Sequence, residues 1–218
     1  FTRKVMIIDE TKLRDAARDY CKFWDEYDSK FSEYISGVHY SNSSRIDKLR
    51  ECLCEYGIQR NVQPNDNELQ NDIGMGCGDG YNPKKHQVIL EVLDTFEHTN
   101  DWVSDIYCLE EMLYSRLKNE VRLLSLASKV LWQKVRGSYL VYDNDARKAL
   151  KVRDKDISNF YIKWNALYQE NYRSIVNALE AVIDDSPFMF YRYDDFRQDW
   201  FYRRIFDTYL INLTREQK

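Results

Sequence analysis

The feature that most constrains the fold is a long run of apolar residues at helical spacing toward the end of the chain. Large apolar side chains recur there every three or four residues, and they are Ile157, Phe160, Trp164, Leu167, Ile175, Leu179 and Val182. This spacing is typical of one buried face of a helix. Ser186 and Pro187 interrupt it. The pattern therefore predicts a helix over 157–183 that ends before the proline.

Similar patterns predict helices over most of the remaining chain. They cover 11–35, about 44–56, 85–98, 101–118, 119–135, a segment that starts at 143 or 144, and 195–213. The 218 residues include only 7 Gly and 3 Pro, which argues against a turn-rich β-sandwich. Only the segments YLVY (139–142) and FMFYRY (188–193) resemble strands. The sequence therefore predicts an all-α, single-domain bundle of seven or eight helices over 1–218.

A polar segment over 58–84 lacks periodicity and predicts a long loop. Its part GMGCGDG (74–80) has a glycine at every second position, but it has no Gly-Lys-Ser/Thr sequence for a phosphate-binding loop. A surface loop is the preferred interpretation.

Cysteine and histidine usage gives no metal-site spacing. The chain has 5 Cys, an odd number, and 3 His, and it lacks a CxxC pair. We expect reduced thiols in a cytoplasmic protein with no metal and no cofactor. No apolar run approaches the ~18 residues of a membrane span, so we expect no membrane partner.

Positive charge is concentrated in the middle of the chain. Between Arg116 and Lys155 there are eleven basic and four acidic residues, a balance of +7. Since the net charge is −4, the rest of the chain carries −11. The whole-chain charge does not suggest a nucleic-acid-binding protein, but this segment does.

Six residues in and next to the helix predicted over 119–135 recur at steps of four, three, four, three and four, and four of them are basic. The others are one tryptophan and one serine, and all six would share a helix face, as Lys118, Arg122, Ser125, Lys129, Trp132 and Arg136. A basic face with one Trp suits a phosphate backbone and a stacked base. Arg147 and Lys148 extend the predicted nucleic-acid-contacting set. The alternative is a solvated basic face that pairs with acidic neighbours.

The stretch SKVLWQKVRGSYLVYDNDARKAL (128–150) places Lys129 in an apolar helical run and Asp143 before a new helix. A helix with Ser-Lys, a short turn, an extended apolar piece and then Asp resembles the core of the helix-hairpin-helix DNA glycosylase superfamily. It is most similar to small members related to the 8-oxoguanine glycosylases. The segment 203–213 resembles the closing helix of such proteins. The family's glycine-containing hairpin has no counterpart in RLLSLAS (122–128), so that phosphate site is absent or rebuilt.

The resemblance implies a catalytic pair for base excision. Lys129 would attack the sugar C1′ and expel the base, and Asp143 would assist the departing positive charge. A flipped base would need an aromatic pocket, for which Tyr139, Tyr142 and Trp164 are candidates. The alternative interpretations are a solvated helix lysine for Lys129 and a helix N-cap for Asp143.

The predicted partner is DNA. Its alternative is a protein partner of a non-catalytic helical module, favoured by the acidic net charge and by the 17 Tyr and 5 Trp. An RNA-binding or phage-defence protein is not distinguished from the first hypothesis by the sequence.

Overall fold

The computed structural model describes residues 8–37, 39–62, 83–118, 122–137, 139–185 and 194–216. Within these ranges every regular element is helical and no strand is present, which confirms the all-α prediction. The α-helices are α1 (Glu10–Phe23), α2 (Ser29–Ser36), α3 (Asn42–Glu55), α4 (Pro83–Thr95), α5 (Trp102–Leu117), α6 (Leu124–Val135), α7 (Asn144–Ala149), α8 (Ile157–Asp185) and α9 (Asp199–Arg215). Short 3₁₀ turns lie at Gln59–Val62 and Asp194–Arg197.

The chain forms two compact units, Phe1–Asp25 with Leu140–Lys218, and Glu26–Tyr139. The sequence predicts one domain over 1–218 and contains no signal for this division. Its predicted loop over 58–84 and the strand-like segment 188–193 fall largely or wholly outside the described residues.

In the first unit, α1 packs against α8 and α9, and α7 packs against α9. Aromatic rings dominate its core: Tyr20 of α1 lies 4.9 Å from Phe201 of α9, and Trp164 of α8 lies 5.1 Å from Phe206 of α9. Each fully buried ring of this kind contributes roughly 1.5–3 kcal/mol relative to an exposed one. The apolar stripe read from the sequence of α8 is therefore the side that meets α1 and α9.

In the second unit, α2 packs against α3 and α6, α4 packs against α3 and α5, and α5 packs against α6. Aliphatic side chains fill this core, among them Leu49, Leu53, Ile106, Leu109 and Val130. Helix α6 is buried on all sides, since every residue from Leu126 to Gln133 is buried.

The helix predicted over 11–35 contains a π-helical turn, Trp24–Asp28, between α1 and α2. The indole of Trp24 and the carboxylate of Asp28 are both buried. A π turn inserts one residue into the helix and so rotates the following side chains. The prediction of one regular α-helix over 11–35 is therefore wrong at residues 24–28, which are π-helical.

Two further expectations differ from the structure. The helix predicted over 119–135 begins only at Leu124, because Lys118 ends α5 in the left-handed conformation, with φ 51°. The segment YLVY (139–142) is buried but forms no strand, since no strand exists among the described residues to pair with it.

Candidate nucleic-acid interface

The predicted nucleophile lies inside the second unit. Lys129 of α6 is only 3% exposed, and its Nζ donates to the carbonyl oxygen of Tyr56 at 3.1 Å. The ammonium also lies over the Tyr56 ring, 5.5 Å from its centroid. The geometry therefore places the ammonium in a polar pocket of the core.

A buried carboxylate belongs to the same part of the core. Asp28 is fully buried and accepts from the hydroxyl of Tyr56 at 2.9 and 3.0 Å and from Nε2 of Gln133 at 2.8 Å. Both Asp28 and Lys129 act on the thiol of Cys52: burial raises its pKa, Asp28 raises it further and Lys129 lowers it. We call Asp28, Tyr56, Lys129 and Gln133 the buried polar cluster. The sequence does not reveal Asp28, because a search for periodic apolar residues does not count a carboxylate.

The predicted catalytic aspartate lies in the first unit. Asp143 is the N-cap of α7, and its side chain accepts from the backbone N–H of Asp145 at 2.8 Å. It also helps to raise the pKa of Asp207, for which burial is the main cause. Lys129 and Asp143 belong to different units. Their pairing stays a prediction.

The predicted basic helix face does not form as one face of a helix. Lys118 caps α5, and Arg122 lies between α5 and α6, where its guanidinium pairs with Glu110 at 2.6 Å and Glu111 at 2.9 Å. The buried Glu110 also accepts from the backbone N–H of Leu123 at 2.8 Å, and this bond fixes the start of α6. The prediction that these residues share one face of a single helix is therefore wrong.

The other members of that face point into the protein. Trp132 is fully buried, and Nε of Arg136, which follows α6, donates to the hydroxyl of Ser32 at 2.7 Å. Groups that the sequence suggested for DNA therefore make contacts within the protein.

The three aromatic residues predicted to line a base pocket are buried. The Tyr139 hydroxyl donates to Asp105, the Tyr142 hydroxyl accepts from the backbone N–H of Lys155, and Nε1 of Trp164 donates to Asp207 at 2.7 Å. Each polar atom has a partner within its own unit, as expected for buried Tyr and Trp side chains.

Exposed positive charge is concentrated where α7 leads into α8. We call residues 147–155 the basic turn, which carries Arg147, Lys148, Lys151, Arg153 and Lys155 against the single acidic residue Asp154, a balance of +4. Lys148, Lys151, Arg153 and Lys155 are exposed. In the described part of the chain, no carboxylate lies within ion-pair distance of Lys151 or Arg153.

The basic turn is held by hydrogen bonds at both ends. Arg147 donates from Nη1 to the carbonyl of Val152 at 2.7 Å, and the N–H of Val152 donates back to the carbonyl of Arg147 at 3.1 Å. Nζ of Lys163 donates to the carbonyls of Leu150 and Lys151, each at 3.3 Å. The turn is therefore fixed before any ligand binds.

Two of its lysines have a backbone conformation that favours glycine. Lys151 has φ 51° and Lys155 has φ 63°. A non-glycine residue in this region costs roughly 1–2 kcal/mol. Of the residues predicted to contact DNA, only Arg147 and Lys148 belong to this turn. The sequence shows that Lys151, Arg153 and Lys155 are charged, but not that all three are exposed.

Comparison with family models, with curated proteins and with solved structures found no match for this chain. Among the described residues, no group of His, Cys, Asp and Glu side chains has the arrangement of a metal site. None of the helices described is both long and apolar enough to cross a bilayer.

Proposed function

We propose that the chain is a helical DNA-binding protein that contacts the phosphate backbone through the basic turn. The observation that carries this proposal is the surplus of exposed cations in one fixed turn of a protein whose net charge is −4. Elsewhere in the central basic segment, Arg122, Lys129 and Arg136 make contacts within the protein.

Phosphate recognition suits such a turn. Lysine and arginine side chains that neutralise phosphates release counterions, so affinity falls linearly with salt on logarithmic scales. If Lys151 and Arg153 each meet one phosphate, the slope for duplex DNA is about −1.8. Lys148 pairs with Asp145 at 3.6 Å and would have to leave this partner to add to the slope. Because the turn is already fixed by Arg147 and Lys163, ordering it on binding costs little.

The test is fluorescence anisotropy of labelled DNA across a salt series. We expect the parent protein to give a slope between about −2 and −4, and the double variant Lys151→Glu/Arg153→Glu to lose about two units of slope.

The matched control reverses Arg14 and Lys22, two exposed residues of α1. This variant changes the net charge by the same amount, so it should keep most of the affinity if the basic turn is the contact. Equal losses in both variants, or a parent that does not bind at low salt, would contradict the proposal.

Base excision with Lys129 as the nucleophile is a further part of this proposal. A lysine is a nucleophile only when its amine is neutral, so Lys129 would have to lose its proton and its bond to the Tyr56 carbonyl. Borohydride would then trap an adduct between lesion-bearing DNA and the parent, but not the Lys129→Gln variant. If no adduct forms on a broad lesion panel, Lys129 is not a lyase nucleophile, while DNA binding is unaffected by that result.

The alternative is a module that binds a protein. Its candidate contact is Ile162 in the second turn of α8, whose side chain is 66% exposed. The alternative would be established by two results together. The parent should not bind DNA, and its apparent mass in light scattering should rise with concentration in the parent but not in Ile162→Ser.

A further inference from the structure

Helix α8 carries a stripe of tyrosines that starts next to the basic turn. Tyr161, Asn165, Tyr168 and Tyr172 are spaced by four, three and four residues and so share one face of the helix. Tyr168 is fully buried, Tyr161 and Asn165 are half-buried, and Tyr172 is 40% exposed. The stripe therefore runs from the basic turn to an exposed aromatic ring.

The ring of Tyr172 is held by other aromatic rings. It makes edge-to-face contacts with Tyr168 at 5.7 Å and with Tyr202 of α9 at 5.8 Å. Tyr168 is itself stacked on Trp164 at 4.9 Å, and its hydroxyl donates to Asp199 at 2.7 Å. An exposed ring on such a support loses little conformational entropy when a planar ligand stacks on it.

A guanidinium lies along the same stripe. Arg203 of α9 lies 5.1 Å from the ring centroid of Tyr168, and its Nη1 donates to Asn165 at 3.5 Å. Its Nε donates to Asp199, so its position is fixed. Tyr168 is buried and the Arg203 side chain is only 12% exposed, so both support Tyr172 from within the protein. Tyr172 is therefore the ring of the stripe on which a base of a single-stranded nucleic acid could stack.

The distance from the basic turn to Tyr172 suits one continuous strand of nucleic acid. Tyr172 follows Ile157 by fifteen residues, which is about 22 Å along a helix. We infer that the protein prefers single-stranded DNA, with backbone phosphates at the basic turn and a base stacked on Tyr172. Paired bases stack on one another inside a duplex and do not offer a free face to this ring. The inference rests on the proposed function and adds the class of DNA.

The test separates stacking from phosphate binding. The probes are a labelled thymidine oligonucleotide and a chain of the same length whose sugars carry no bases, both measured by anisotropy. We expect Tyr172→Leu to weaken binding of the thymidine chain about tenfold and to leave the baseless chain unchanged. Tyr172→Phe should keep the parent's affinity, because it keeps the ring.

The matched control is Tyr107→Leu, which removes a tyrosine of similar exposure, 38%, from α5 in the other unit. This substitution should change neither the affinity for the thymidine chain nor the affinity for the baseless chain. The parent should also bind the thymidine chain more tightly than a duplex with the same number of phosphates.

The possible failures differ. If Tyr172→Leu has no effect on the thymidine chain while Lys151→Glu/Arg153→Glu weakens it, the stacking inference is wrong and the proposed function stands. Equal losses for both chains in Tyr172→Leu would also overturn the inference, since the ring would then not recognise a base. If reversal of the basic turn has no effect on any DNA, the proposed function fails and the inference fails with it.

Discussion

Replacing Lys129 with methionine tests whether this lysine is a structural member of the core. Methionine has a similar length and an apolar end, so it fills the space but leaves the Tyr56 carbonyl without its 3.1 Å donor. Loss of a hydrogen bond to a charged group costs roughly 1.5–3 kcal/mol. The cation and the fully buried Asp28 have opposite effects on the pKa of the Cys52 thiol, so both charges belong to the same part of the core. Removing one charge from a buried set of opposite charges costs about 3–5 kcal/mol. We therefore expect Lys129→Met to lower the free energy of unfolding by about 3 kcal/mol.

The assay is urea unfolding followed by far-UV circular dichroism, with a double-mutant cycle that adds Asp28→Asn. Asparagine keeps hydrogen-bonding atoms for Tyr56 and Gln133 but removes the charge. The two substitutions should be less than additive, with a coupling of about 1–3 kcal/mol. A loss below about 0.5 kcal/mol in Lys129→Met, as found for ordinary surface residues, would refute the reasoning.

Three further predictions concern other parts of the chain. Lys151→Gly should raise the free energy of unfolding by about 1 kcal/mol, since glycine suits the φ of 51°, and should reduce the salt slope of DNA binding by about one unit. Burial raises the pKa of Asp207 from 3.8 to about 6, so the folded state binds this proton more tightly than the unfolded state. Stability should therefore fall as the pH rises from about 4 to 6, and Asp207→Asn should remove this part of the dependence in urea unfolding. Arg45→Met should cost about 2 kcal/mol in the same assay, because Arg45 pairs with Asp94 at 2.7 Å and donates to the carbonyl of Ile35 at the end of α2; no change would show that these contacts are not stabilising.

The sequence predicted those helices whose ends and faces are encoded locally. Asp101 precedes α5 and Asp143 precedes α7, and both are N-caps in the structure. The apolar spacing from Ile157 to Val182 corresponds to the buried side of α8. Such signals depend on neighbouring residues only, so periodicity and capping rules detect them.

The surroundings of Arg122 and Lys129 were less predictable because their contacts are made by residues on other helices. The break between α5 and α6 occurs at Lys118 without glycine or proline, and Glu110 fixes the start of α6 from thirteen residues before Leu123. Asp28 of the buried polar cluster meets Gln133 across 105 residues. Spacing along one predicted helix carries no information on such pairs. It therefore could not show that basic residues of the predicted face make contacts within the protein.

The measurement that tests the account most directly is lysine acetylation read by mass spectrometry, with and without saturating DNA. Bound DNA should protect Lys148, Lys151 and Lys155 of the basic turn, while exposed Lys22 of α1 should react equally in both samples. Buried Lys129 should stay unreactive in the free protein. Equal acetylation of the three basic-turn lysines in free and DNA-bound protein would contradict the account.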